Sequence, residues 1–321
     1  MNIDMITAAA DRLHGTARVT PLLSSPALDA LAGRRVLVKP ECLQRTGSFK
    51  FRGAYNALAA MPAEKRAKGV LAYSSGNHAQ GIAHSAQLFG VPAVIIMPAD
   101  APQLKIEGTR SYGAEVVLYD RGRESREEIG DRLAKERGLT LVKPYDEPQV
   151  IAGQGTCGLE IADQAQAMGV TEAEVLVCCG GGGLTAGIAL ALQDRAPGFT
   201  PRPVEPIGYD DTARSLKSGQ RERNTSEAGG LCDAILPPTP GELTFPILQT
   251  LCGSGITVTD HDAMRAMALA FQHLKVVAEP GGAVALAGAL FDPTIQSDTV
   301  ICTISGGNVD PQIFAQALTR M

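Results

Sequence analysis

The chain has no tryptophan, and its 321 residues include only 6 tyrosines and 8 phenylalanines. A surface that stacks nucleic-acid bases needs aromatic faces interleaved with basic side chains. Here 29 Lys and Arg stand against 34 Asp and Glu, a net charge of −5, with no basic cluster. Nucleic acid is therefore not expected as a partner. Long apolar runs are also lacking. The stretch Ala283–Phe291 falls far short of the ~20 residues that span a bilayer, so no membrane segment is expected. Seven cysteines are scattered without a C-x-x-C pair, and five histidines show no ligand spacing, which argues against zinc and disulfide frameworks. Cys178 and Cys179 lie in an apolar run and read as small buried hydrophobes. The opening Met1-Asn2-Ile3-Asp4 lacks the pattern of a secretory leader, and a cytoplasmic protein is expected.

What the chain has in quantity is glycine, 35 residues. Apolar strand segments alternate with helical patterns, among them Val36–Val38, Gly69–Tyr73, Val91–Met97, Glu115–Tyr119, Glu174–Cys178 and Thr299–Ile304. A helix capped by Ser48 is expected to run through Phe51, Ala54, Tyr55 and Leu58. Such alternation defines an α/β protein with open parallel sheets. Two units are expected: a smaller one from residues 64–146, and a larger one from 1–63 together with 147–321. The segment Thr200-Pro-Arg-Pro203 is expected to interrupt a strand, because proline cannot donate to a ladder.

Four consecutive glycines, Gly180 to Gly183, stand between an apolar strand and a helix. Exposed backbone N–H groups at a helix start make a cradle for one phosphate. The dinucleotide fingerprint fails, since Thr185 or Ala186 takes the place of its last glycine, and no Gly-Lys-Ser/Thr follows. This counts against a nicotinamide oxidoreductase. Lys50 lies between Phe49 and Phe51, where partial desolvation favours the neutral amine and imine formation with an aldehyde. Taken alone, it reads as one more solvated surface lysine. Ser74-Ser-Gly-Asn-His78 follows a strand end, where α/β sheets place ligands, or is an Asx-type turn capping the next helix. Ser305-Gly-Gly-Asn308 carries the same two readings. Together these segments describe a site for an aldehyde with a single phosphate, pyridoxal 5′-phosphate.

Thr46-Gly-Ser-Phe-Lys50, Ser74-Ser-Gly-Asn-His78, Gly180-Gly-Gly-Gly-Leu184 and Ser305-Gly-Gly-Asn308 resemble, in order and spacing, the serine/threonine dehydratase and serine racemase family of fold-type II pyridoxal-phosphate enzymes. The resemblance runs from about residue 15 to 310 and implies the tryptophan synthase beta-like fold, two open parallel-sheet domains with the cofactor between them. It implies that Lys50 binds the cofactor aldehyde and acts as general base, and that Phe49 packs beside the ring. Asn77 would bond the ring hydroxyl, Gly180, Gly181, Gly182, Gly183 and Leu184 would hold the phosphate, and Ser305 would meet the pyridine nitrogen. Ala234 stands close to the ring where the family usually has glycine. Ser74, Ser75, Asn77 and His78 would clasp the substrate carboxylate. Ser75 matches the residue that works on the opposite ring face in racemases.

Glu205, Asp211 and the Tyr209 carbonyl resemble the family's divalent-cation site, suited to Mg²⁺ or Ca²⁺; a pair of solvated loop carboxylates reads the same way. Arg126 matches an arginine that approaches the substrate side chain, and one more charge on a solvated helix is the competing reading. The implied activity is a dehydratase (ammonia-lyase) converting serine, threonine or 3-hydroxyaspartate to an oxo acid or imine with loss of water and ammonia. Arg126 favours hydroxyaspartate by offering its second carboxylate a partner. A homodimer is implied. The alternatives are a serine racemase and a non-catalytic protein that binds a phosphate ligand.

Overall fold

Two parallel sheets organise the chain, with strands at Leu23–Ser24 (β1), Arg35–Pro40 (β2), Val70–Tyr73 (β3), Ala93–Pro98 (β4), Glu115–Tyr119 (β5), Thr140–Leu141 (β6), Ala173–Cys178 (β7), Phe199–Pro206 (β8), Ile256–Val258 (β9) and Thr299–Ile304 (β10). The computed structural model describes residues 1–101, 103–120, 122–226 and 229–319. A six-stranded sheet has the order β1-β2-β10-β7-β8-β9 and a four-stranded sheet the order β5-β4-β3-β6. Among these strand pairings only β1–β2 is antiparallel. β4 and β7 are buried at every position, as expected of parallel strands covered by helices on both faces.

The helix Pro280–Phe291 is apolar nearly all round and buried from Pro280 to Leu290. Such a helix has no solvent face, and it packs against β7, β8, β9 and β10 in the core of the larger sheet. The smaller sheet is wrapped by Asn77–Phe89, Gln103–Ser111 and Arg126–Arg137. Three helices meet where small residues permit close approach. Gly153 of the helix Pro148–Ala167 would place a Cβ 2.5 Å from the Arg52 carbonyl of the helix Lys50–Ala60, and Gly155 one 2.9 Å from the Gly187 carbonyl of the helix Gly183–Arg195. A buried ionic cluster locks the first of these contacts: Arg52 donates twice to Glu41 and twice to Glu160, and Lys39 donates to Glu160.

Two local expectations are corrected. Ser48 does not cap the Lys50 helix. The N-cap is Phe49, without a side-chain bond, and Ser48 instead pairs with Gly306 in an isolated bridge. Pro201 and Pro203 do not interrupt their strand, for β8 runs unbroken and pairs with β7 from Phe199 to Val204. The Pro201 carbonyl accepts from Gly253 and the Val204 carbonyl from Cys179 at the end of β7, so odd-numbered positions of β8 face the β9 side. β9 begins only opposite Val204, and the two missing N–H donors therefore fall where no strand needs them.

Candidate active site

The loops that leave β3, β7 and β10 all start at carboxyl ends of parallel strands, the ligand-binding edge of such sheets. Those of β3 and β7 meet at a cavity of about 970 Å³ lined by residues from both sheets, and the β10 loop reaches it through the bond from Asn308 to Asn77. Its wall includes Phe49, Lys50, Ser74, Ser75, Asn77, His78, Gly180 to Leu184, Ala234 and Arg126, together with Tyr145, Gln154, Cys178 and Glu279. Across its mouth Lys105 donates to Asp233 at 2.8 Å, tying a helix of the smaller sheet to the loop before Ala234.

Lys50 opens its helix, with Nζ 5.0 Å from the Phe49 ring centroid and donating to the Pro144 carbonyl at 2.9 Å. Burial lowers its pKa to about 8, and the nearby Glu279 carboxyl acts in the opposite sense. An amine of that pKa has a substantial neutral fraction near physiological pH, as imine formation and proton abstraction require. Glu279 does not stand out in the sequence. It is buried, its pKa is raised to about 7, chiefly by burial, and it accepts from Asn77 Nδ2 at 2.6 Å. Asn77 Oδ1 in turn accepts from Asn308 Nδ2 at 2.7 Å.

His78 takes a narrower part than expected. Its Nε2 faces the Val142 carbonyl at 2.9 Å and Nδ1 is buried without a partner. Burial depresses its pKa to about 3. The neutral ring thus spends its single N–H on Val142 and has none for a substrate carboxylate. Ser305 does not line the cavity, whereas Cys178, whose thiol donates to the Gly282 carbonyl, forms part of the wall. Arg126 opens the helix Arg126–Arg137, half-exposed, and donates to Glu127 at 2.7 Å.

The glycine turn is built for close approach. Gly182 has φ +86, and a Cβ on Gly181 would lie 2.3 Å from the Tyr145 ring. The first-turn N–H groups of the helix Gly183–Arg195 have no intrahelical acceptors and belong to residues on the cavity wall. Beside them Gln154 Nε2 and Oε1 and Thr185 Oγ1 are buried and unpartnered. A phosphate monoester would accept from the backbone N–H groups, Gln154 Nε2 and Thr185 Oγ1, and Lys50 stands in the same cavity for the aldehyde, so the residues present fit pyridoxal phosphate.

Glu205, Tyr209 and Asp211 lie apart from the cavity. Glu205 is fully buried and accepts from Thr212 N at 3.0 Å and Ala213 N at 2.8 Å, capping the helix Asp211–Ser218. Burial and the facing Asp211 raise its pKa strongly. Asp211 accepts from Asn224 at one oxygen and leaves Oδ2 buried and unpartnered. Among the described residues, no group of three or more His, Cys, Asp or Glu is placed to hold a metal. All seven cysteines are free.

A fold of two parallel sheets with a lysine, a glycine cradle and polar strand-end loops in one cleft defines a pyridoxal-phosphate enzyme of fold-type II. The chain belongs to the pyridoxal-phosphate dependent enzyme family, whose model matches residues 13–306. It is 42% identical to the L-threo-3-hydroxyaspartate ammonia-lyase of Pseudomonas sp, over 98% of this chain and 97% of the relative. It is 36% identical to the serine racemase of Schizosaccharomyces pombe, over 99% of this chain and 97% of the relative. The crystal structure of a T.th. threonine deaminase superposes with a TM-score of 0.91 at 43% identity, covering 97% of this chain and 99% of that one.

Proposed function

We propose that the protein is a pyridoxal-phosphate-dependent ammonia-lyase (dehydratase) that converts a β-hydroxy-α-amino acid, 3-hydroxyaspartate foremost, to an oxo acid and ammonia through loss of the β-hydroxyl. The observation that carries this reading is the Lys50 amine, of pKa about 8, set in one cavity with the glycine cradle and Arg126. When bound, pyridoxal phosphate supplies an electron sink that acidifies the Cα–H of an attached amino acid. Lys50 Nζ is the base for that proton, and burial keeps part of it neutral. Ser74, Ser75 and the backbone N–H groups that begin the helix Asn77–Phe89 hold the α-carboxylate, aided by the positive helix end. Arg126 exchanges Glu127 for a second substrate carboxylate. The Lys105–Asp233 pair limits water entry between the two lobes.

This reading divides the chain at 63/64 and 146/147, with the smaller part closing on substrate held by the larger. It includes a divalent cation, Mg²⁺ foremost, at Glu205, Asp211 and the Tyr209 carbonyl, supported by the orphaned Asp211 Oδ2. The cation would act on the local fold, remote from the chemistry. A cytoplasmic homodimer completes the proposal. A panel of serine, threonine and 3-hydroxyaspartate isomers, assayed for oxo acid and ammonia with wild type and Lys50→Ala, tests it; absence of oxo acid from every substrate would overturn it. Serine racemase is the second reading, favoured by Ser75 and Lys50 lining the same cavity. Chiral analysis separates the two by asking whether enantiomer exchange outpaces oxo-acid release.

A further inference from the structure

Gln154 is fully buried, yet both polar atoms of its side chain lack a partner. Leaving both polar atoms of a buried amide orphaned is costly, and native interiors rarely do so without reason. Its position is set by the close helix packing described above. The side chain passes Gly53 of the Lys50 helix, where a Cβ would lie 3.1 Å from Gln154 Cγ. It ends at Gly183, where a Cβ would lie 2.7 Å from Gln154 Oε1. Gln154 thus runs from the lysine helix to the N-terminus of the glycine-loop helix, and both it and Thr185, whose hydroxyl is likewise buried and orphaned, line the cavity.

The atoms nearest the Cβ positions of the four glycines belong to the Ile235 backbone and to Pro237, Tyr145, Leu248, Thr244 and Gln154, with no lysine or arginine among them. An anion held here would lie beside Gln154 Oε1, which is 2.7 Å from the Cβ position of Gly183. Neither Gln154 atom is committed to a protein partner, so its amide is free to turn its N–H₂ towards the anion.

We propose that Gln154, with the Thr185 hydroxyl, is a side-chain ligand for the phosphate of the cofactor, supplementing the backbone N–H groups of the glycine loop. The inference rests on the cavity being a pyridoxal-phosphate site. It sets Gln154 apart from a residue that merely packs between helices. A packing role affects every occupant of the cavity alike, whereas a phosphate ligand discriminates between the phosphorylated aldehyde and the same aldehyde without phosphate.

The test is retention of lysine-bound cofactor after dilution of the holoenzyme, followed by visible absorbance, for protein loaded with pyridoxal phosphate or with pyridoxal. Gln154→Glu keeps the volume and places a carboxylate against the phosphate. Gln154→Leu and Thr185→Val remove the donors, and their melting temperatures monitor the fold. Gln154→Glu is expected to weaken pyridoxal phosphate by at least about tenfold, the loss of one hydrogen bond to a charged group, while pyridoxal changes by less than about twofold. The ratio of the two affinities should also fall in Gln154→Leu. Equal weakening of both aldehydes, or no change in either, overturns the proposal. If wild type forms the lysine adduct with neither aldehyde, the reading of the cavity itself fails instead.

Discussion

Asn77 Nδ2 donates to Glu279 Oε1 at 2.6 Å while Asn77 Oδ1 accepts from Asn308 Nδ2 at 2.7 Å. Asn308 also donates to the Thr46 carbonyl, which fixes the direction of the chain of amides. Asn77 keeps one N–H uncommitted, on a residue of the cavity wall. Three segments far apart in sequence thus orient a single donor, and the carboxyl at the end of the relay titrates in the neutral range.

Replacing that carboxyl should change the pH dependence of stability. The folded-state pKa of Glu279, about 7, lies above its unfolded value of 4.5; burial raises it, Asp233 adds to the rise, and Asn77, Lys105 and Lys50 oppose it. Stability from the held proton is therefore complete below pH 4.5 and is lost as pH rises through 7. Glu279→Gln, neutral throughout, is expected to gain about 3 kcal/mol relative to wild type between pH 4 and pH 8. Urea unfolding at the two pH values measures this. An identical offset at both would show that Glu279 does not titrate in this range.

Gly181→Ala should damage cofactor retention through Tyr145, because the new Cβ would meet the ring at 2.3 Å. A loss of about tenfold in cofactor affinity is expected, and the double variant Gly181→Ala/Tyr145→Ala should recover most of it, since contacting residues couple. Titration of each variant with the cofactor decides the matter; a double variant no better than the single would refute the steric account.

Arg126→Ala should raise KM for 3-hydroxyaspartate by about tenfold or more, the scale of a lost charge-assisted pair. KM for serine should stay within about twofold. Equal effects on both substrates would remove Arg126 from recognition of the second carboxylate.

Magnesium should raise the melting temperature, and chelation should lower it, if Glu205 and Asp211 hold a cation. Asp211→Asn is expected to abolish the response while preserving the fold. Glu205→Gln should lose about 1 kcal/mol without added metal, because Glu205 caps its helix in any case. Thermal unfolding across a metal titration reads both effects.

Arg52→Leu should destabilise by about 3–5 kcal/mol, since it strands the buried Glu41 carboxylate. Denaturant unfolding gives the value, and a cost below about 1 kcal/mol would mean that the cluster relaxes.

The paired sheets and the loops that meet at the cavity were legible in the sequence because their signals are local. β4 is a continuous apolar run, β7 and β10 are apolar but for Glu174, Thr299 and Thr303, and Gly180–Gly183 and Lys50 each sit at a junction of strand or loop with helix. Glu279 was not legible. A single acid before Pro-Gly-Gly reads as an ordinary helix start, and its burial arises only when Asn77 and Gly306 meet it. The continuity of β8 was hidden for a similar reason, since the harm done by a proline depends on whether its neighbouring strand extends that far. Ser48 misled as a cap because its place is decided by Gly306, which lies near the other end of the chain.

β10, the last strand in sequence, lies inside the larger sheet, with Thr299 opposite Arg35 and Val300 opposite Glu174. The smaller sheet, by contrast, is contiguous in sequence and can form early in synthesis. The larger sheet remains split until β10 inserts, and only then do Ser305 and Asn308 reach the Phe49 and Asn77 segments they bind. Completion of the cavity is therefore coupled to near-completion of translation, and a nascent chain halted before β10 carries Lys50 without the Asn308 side chain that holds Asn77.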